Sequence, residues 1–227
     1  YIRVINPTNE YVNVNYMSLN HSMQLQPENL WRNTSHRTLK FINRFSDQLS
    51  VQLNNRAYQE EGLAVYNPFN TSSLNEENII AANASITNVV FFNRINPKFG
   101  IDYTTQRFLG KTLLTYGIEE SAQLRQLMKG RIGISKSWTL NINLLMADRS
   151  YRSGLVDERS YDIHMLAAEP MLTWLVQSKF RISALYKIEQ RQNALAFGGE
   201  LAQIHNLDME TKLSLRKSGT INMKLTY

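Results

Sequence analysis

Apolar and polar residues alternate with period two along most of this chain. Leu49, Val51 and Leu53 alternate with Gln48, Ser50, Gln52 and Asn54; Phe99, Ile101 and Tyr103 alternate with Gly100, Asp102, Thr104 and Gln106. Trp138, Leu140, Ile142, Leu144 and Met146 form a third series, interleaved first with Thr139, Asn141 and Asn143. Phe180, Ile182, Ala184, Tyr186 and Ile188 form a fourth, and Ile221, Met223, Leu225 and Tyr227 a fifth. Successive side chains of a strand point to opposite faces, so each segment has one apolar and one polar face. Parallel strands buried on both sides would read as continuous apolar runs, so this pattern predicts antiparallel β structure.

The segments Ala122 to Ser135, Trp138 to Asp148, Tyr161 to Leu175 and Phe180 to Gln192 exceed the ~5–6 residues of an ordinary strand. They reach the ~9–11 tilted residues that cross a bilayer. Helical turns over Gln123 to Met128 and Met165 to Leu172 are weaker readings, because Pro170 would break the second. Tight turns are predicted at Ser46-Asp47, Ser135-Lys136-Ser137, Val176 to Lys179 and Lys217-Ser218-Gly219. Longer polar connections are predicted from Ala57 to Asn78, Arg149 to Ser160 and Asn193 to Gly199. Short turns at one end and long loops at the other are the pattern of a membrane barrel built from hairpins. The expectation is all-β: one up-and-down antiparallel transmembrane barrel, or a large part of one, over residues 1–227 with about a dozen strands. Residues 1–60 are the least readable, and a change of phase near Met17 and Leu19 suggests a bulge.

On that reading the charged faces line a lumen. The candidates are Arg125, Lys129, Arg131, Arg181, Lys187, Arg191, Asp208, Glu210, Lys212 and Lys224. The lipid-facing candidates are Leu140, Ile142, Leu144, Ile182, Ala184, Ile221, Met223 and Leu225. Trp138, Trp174, Phe180 and Tyr227 lie near strand ends, where an interfacial girdle would place them.

Composition narrows the alternatives. Apolar content of 43% is near the globular norm and charged content of 19% is below it, which excludes a disordered chain. The absence of cysteine excludes disulfide scaffolds, cysteine-based metal sites and thiol catalysis. The net charge of +6 is dispersed along strands rather than gathered on a helix, which argues against nucleic acid. The rival architecture is a soluble secreted β-sandwich binding glycans or proteins, with the same alternation but the apolar face buried. Strand length and loop asymmetry favour the barrel.

No constellation predicts catalysis, a cofactor or a metal. His21, His36, His164 and His205 show no metal-ligand spacing. Asp162 and His164 share a strand face and could serve a barrel hydrolase, but no serine partner is recognisable. Glu60-Glu61, Glu76-Glu77 and Glu119-Glu120 are expected in solvated loops. Gly130, Gly133, Gly198 and Gly199 lack the strand–glycine–helix context of a phosphate loop and read as packing and turn glycines.

Three stretches carry a resemblance: "NRINPKFGIDYT" from Asn93, "EPMLTWLVQSKFRISALYKIEQRQN" from Glu169 and "GTINMKLTY" from Gly219. They resemble large outer-membrane proteins of Bacteroidota, over about the last two-thirds of the chain. The resemblance implies an outer-membrane location and a C-terminal barrel, and says little about activity; the barrel reading itself leads to the expectation of a non-catalytic role in transport, surface display or envelope assembly in a Gram-negative cell. The partners expected of such a barrel are outer-membrane lipid, lipopolysaccharide, whose phosphates suit basic residues at a rim or lumen, and other envelope proteins. The alternation ending on Tyr227 is similar to a terminal barrel strand, whereas the family resemblance implies that further strands follow it. Tyr1 opens no signal-peptide pattern, so the chain reads as a processed or excised piece.

Overall fold

The computed structural model describes residues 4–5, 11–12, 14–27, 35–58, 79–115, 117–154, 156–176, 179–215 and 219–227. Two short strands, β1 (Val4–Ile5) and β2 (Tyr11–Val12), pair with each other. All other strands form one antiparallel sheet: β3 (Val14–Leu25), β4 (Phe45–Tyr58), β5 (Ile79–Phe92), β6 (Phe99–Leu114), β7 (Gly117–Gly133), β8 (Trp138–Ser153), β9 (Tyr161–Val176), β10 (Phe180–Asn193), β11 (Leu201–Leu215) and β12 (Gly219–Thr226). Each strand pairs with its sequence neighbours, so the ten run up and down without a crossover. Among the described residues the end strands β3 and β12 do not pair with each other, and the sheet is open.

Period two predicts these strands well. The segments expected from Ala122, Trp138, Tyr161 and Phe180 are β7 to β10, each within a few residues except β7, which begins five residues earlier, and β8, which runs on to Ser153. Pro170 sits within β9, opposite Ile142. It has no N–H to give, and pairing to β10 lapses between Met171–Leu185 and Ala168–Ile188 while pairing to β8 continues.

Several boundaries differ from the sequence expectation. Ser46-Asp47 is not a turn: both residues pair with Phe91 and Val90 inside β4. Instead, a helix at Arg37–Ile42 precedes β4, and its Phe41 ring packs 5.4 Å from Phe45. Met17 and Leu19 lie in a continuous register with β4, and the irregularity falls between Arg56 and Ala57. Glu119 and Glu120 are not in a loop but in β7, paired across to Thr112 and Lys111. Arg149 to Ser153 belong to β8, which shortens the following connection to 154–160. The β6–β7 connection is only two residues long, so loop length is less strictly segregated than expected. Gly117 follows it with φ of 130°, a backbone conformation that a side chain would strain. Residues 59–78, with Glu60-Glu61 and Glu76-Glu77, lie outside the described residues.

The sheet has no packed core. Its fully buried apolar residues, among those described, are Ala57, Ala147 and Ala167, whereas Met223 and Leu225 are 69% and 65% exposed. Nothing described covers either face.

Candidate functional site

Register alone sorts the side chains, because directly opposed residues share a face. One face carries Trp138, Leu140, Ile142, Leu144 and Met146 from β8, opposed by Trp174, Leu172, Pro170, Ala168 and Leu166 of β9. It continues through Ile182, Ala184 and Tyr186 of β10 into Ile221, Met223 and Leu225 of β12. All eight residues expected to face lipid therefore share one face. The ten charged residues expected to line a lumen all share the other.

Aromatic rings border the apolar face at its short-turn end. Phe41, Phe45, Phe92 and Phe99 form a chain with ring centroids 5.4, 4.8 and 6.1 Å apart. Trp138 stacks on Trp174 at 5.6 Å, and Trp174 meets Phe180 edge-on at 6.4 Å. The border climbs across the sheet. Phe45 and Phe92 share a register row; Phe99, then Trp138 and Trp174, then Phe180 each lie two residues further out. Six residues of climb over the six steps from β4 to β10 amount to one residue per strand. Tyr227 does not join this cluster. It pairs with Leu207 by two backbone hydrogen bonds, at the level of Tyr186 and Ile142.

The opposite border is ionic. Beyond Met146 and Leu166 the same face carries Asp148 against His164, with Oδ1 2.5 Å from Nδ1. Arg152 lies 3.5 Å from Asp162, and Lys111 pairs with Glu120. His164 is thus held by Asp148, not by Asp162 as the sequence suggested. Among the described residues, no serine hydroxyl is hydrogen-bonded to this ring. Polar residues also cross the apolar face at β4 to β7. Asn88 donates to Asp47 at 2.7 Å, and the Tyr103 hydroxyl lies 2.9 Å from Gln126 Oε1, with Thr105 between them.

The charged face divides into two sectors. On β9 to β12 the cations are matched: Arg181 with Glu210 at 3.5 Å, Lys187 with Glu189 at 2.7 Å and Glu169 at 3.6 Å, Arg191 with Glu189, and Lys224 with Asp208 at 3.8 Å. Among the described residues of those strands, Lys212 alone of these cations has no such partner. On β6 to β8, Arg125, Lys129 and Arg149 have no carboxylate in salt-bridge contact among the described residues, although Asp102 stands opposite Lys129. Arg149 was missed in the sequence because it was assigned to a loop; continuing the alternation past Met146 would have found it. Arg131 is engaged differently, donating from Nη2 to the carbonyls of Arg94 and Asn96 in the β5–β6 turn. In all, strand cations on this face are Arg56, Arg125, Lys129, Arg131, Arg149, Arg181, Lys187, Arg191, Lys212 and Lys224. The carboxylates are Asp102, Glu119, Glu169, Glu189, Asp208 and Glu210. Outside the strands, the Asn193 amide donates to Glu200 in the β10–β11 loop and holds its carboxyl below the ordinary carboxylate range.

Among the described residues, no group of His, Asp and Glu is placed to share a metal ion. The candidate site is the sheet itself, with one apolar and one charged face. The fold and faces define an all-β, two-faced antiparallel sheet. No protein-family model, curated protein or solved structure matches this chain.

Proposed function

We propose that this sheet is a wall of an outer-membrane β-barrel, with the apolar face against lipid and the charged face against an aqueous lumen. The role is transport, surface display or envelope assembly in a Gram-negative cell, and it is non-catalytic. One observation carries the reading: on β8 and β9 a charge-free apolar band separates an aromatic border from an ionic one.

Dimensions support it. A climb of one residue per strand, at a rise of ~3.3 Å and a strand spacing of ~4.8 Å, corresponds to a tilt of about 35°. Trp138 to Met146 then spans about 26 Å along the strand and about 22 Å along the barrel axis, close to the ~25 Å apolar belt of membrane barrels. The aromatic border matches the depth preference of amphipathic rings for the interface. A sandwich would need a second layer over Leu144, Met146, Leu172 and Met209, each about two-fifths exposed.

The test is partition into a bilayer. The full-length protein should float with liposomes after alkaline washing and show heat-modifiable mobility on gels. Recovery from the aqueous fraction without detergent, as a monodisperse species, would replace the barrel with the soluble sandwich.

A further inference from the structure

A shallow groove of about 410 Å³ crosses the apolar face between β6 and β10. Its cause is side-chain length. Ala168 lies in one register row between Leu144 and Ile188, so a methyl group is flanked by two long chains. Met128 continues that row past Leu144, and Leu166 and Met146 extend the lining toward the ionic border. There the lining turns polar at Gln126.

Cations on this face are few. Of the three on the strands, Lys111 is paired with Glu120 and Arg152 with Asp162. Arg107 is exposed, and among the described residues no carboxylate, ring or carbonyl engages it. Arg107 opposes Leu124, the face neighbour of Gln126 two residues along β7. It lies eight residues from Phe99, at the height where the apolar band ends.

We infer that this groove holds an acyl chain of a membrane phospholipid whose phosphate is bound by Arg107. The match is one of charge and depth together. An unpaired guanidinium at headgroup level takes a phosphate bidentately, and the adjoining groove lies where that lipid's hydrocarbon must go. Paired Lys111 and Arg152 offer no comparable vacancy. The inference rests on the membrane reading above.

The probes are phosphatidylglycerol and diacylglycerol with the same chains, each offered to the detergent-solubilised full-length protein. Retained lipid is measured after gel filtration. Phosphatidylglycerol should be retained about tenfold better than diacylglycerol, the order expected for one charge-assisted contact. Arg107→Gln should abolish that preference, and Ala168→Phe, which fills the groove, should lower retention of both lipids. Equal retention of the two lipids by the unaltered protein would overturn the inference. So would a preference that survives Arg107→Gln, or retention indifferent to Ala168→Phe. Liposome flotation of the same variants keeps the two readings apart. If all float but show no lipid preference, only the lipid site fails; if the unaltered protein does not float, the membrane reading and the lipid site fail together.

Discussion

Lys187 and Glu189 stand two residues apart on β10, and the ammonium lies 2.7 Å from a carboxylate that is 2% exposed. Arg191 Nε donates to the other oxygen, and Glu169 reaches Lys187 from β9. One carboxylate therefore holds two cations on the same strand face. Glu189→Ala should destabilise the folded protein by about 1.5–3 kcal/mol, the range for losing a hydrogen bond to a charged group. Glu189→Gln, which keeps acceptor geometry at one oxygen, should cost less. Thermal unfolding followed by circular dichroism in detergent measures both. An unchanged midpoint for Glu189→Ala would mean that the two cations are fully hydrated and the cluster adds nothing.

The two faces make opposite demands on charge. Ile142→Arg, Ile182→Arg and Met223→Arg each place a guanidinium in the apolar band, where the cost at mid-depth is ~2–4 kcal/mol. Asn141→Arg adds the same charge one residue away, on the face already occupied by Arg131. Refolding into liposomes should fall for the first three and hold for the last. Equal yields would sink the assignment of faces. A defect in Ile142→Arg that persists without lipid would indicate a soluble core instead.

The Arg131 guanidinium is a latch for the β5–β6 turn. It donates to Arg94 O at 3.0 Å and Asn96 O at 2.8 Å, while Gly133 N donates to Lys98 O at 2.7 Å. Removing the side chain leaves two turn carbonyls without that donor, at about 0.5–1.5 kcal/mol each. Arg131→Gln should raise hydrogen exchange in residues 93–98 and speed proteolytic nicking there, with β10 and β11 unaffected. Gly133→Ala should act on the same turn, because its added carbon would stand 2.9 Å from Pro97 O. Unaltered exchange in both variants would show that the turn holds itself.

How much of this was legible in the sequence depends on which physical signal each element leaves. Long strands with one exposed apolar face write their own period, so β7 to β10 and the sorting of Arg181, Glu210, Ile182 and Met223 between faces follow from alternation. Ser46-Asp47 misled because Asp47 satisfies its carboxylate through Asn88, a partner 41 residues away that no local pattern reveals. The helix at Arg37–Ile42 is too short to show a helical period, and its Phe41 belongs to a cluster assembled from three other segments. Ion pairing was equally out of reach. His164 finds Asp148 rather than nearby Asp162 because pairing is decided by the register between β8 and β9. Sequence proximity carried no information about that register.

The balance of free charge on the polar face sets the last expectation. Arg181, Lys187, Arg191 and Lys224 each have a carboxylate partner, so they contribute little net field. Arg125, Lys129 and Arg149 gather on β7 and β8 without one among the described residues, which places the excess positive charge along that sector. If the face lines an open lumen, this sector lowers the barrier for anions and raises it for cations. Planar-bilayer measurements on the full-length protein in a salt gradient should then give a reversal potential of anion-preferring sign. Arg125→Glu and Arg181→Glu should each weaken that preference, the first by removing an unpaired cation and the second by leaving Glu210 without its partner. Arg131→Glu should alter it mainly by loosening the β5–β6 turn. A cation-preferring pore would refute the lumen assignment. Absence of conductance would instead assign the same charges to a plugged barrel, where the matched sector of β9 to β12 serves to hold the wall together and the unmatched one to receive whatever fills the interior.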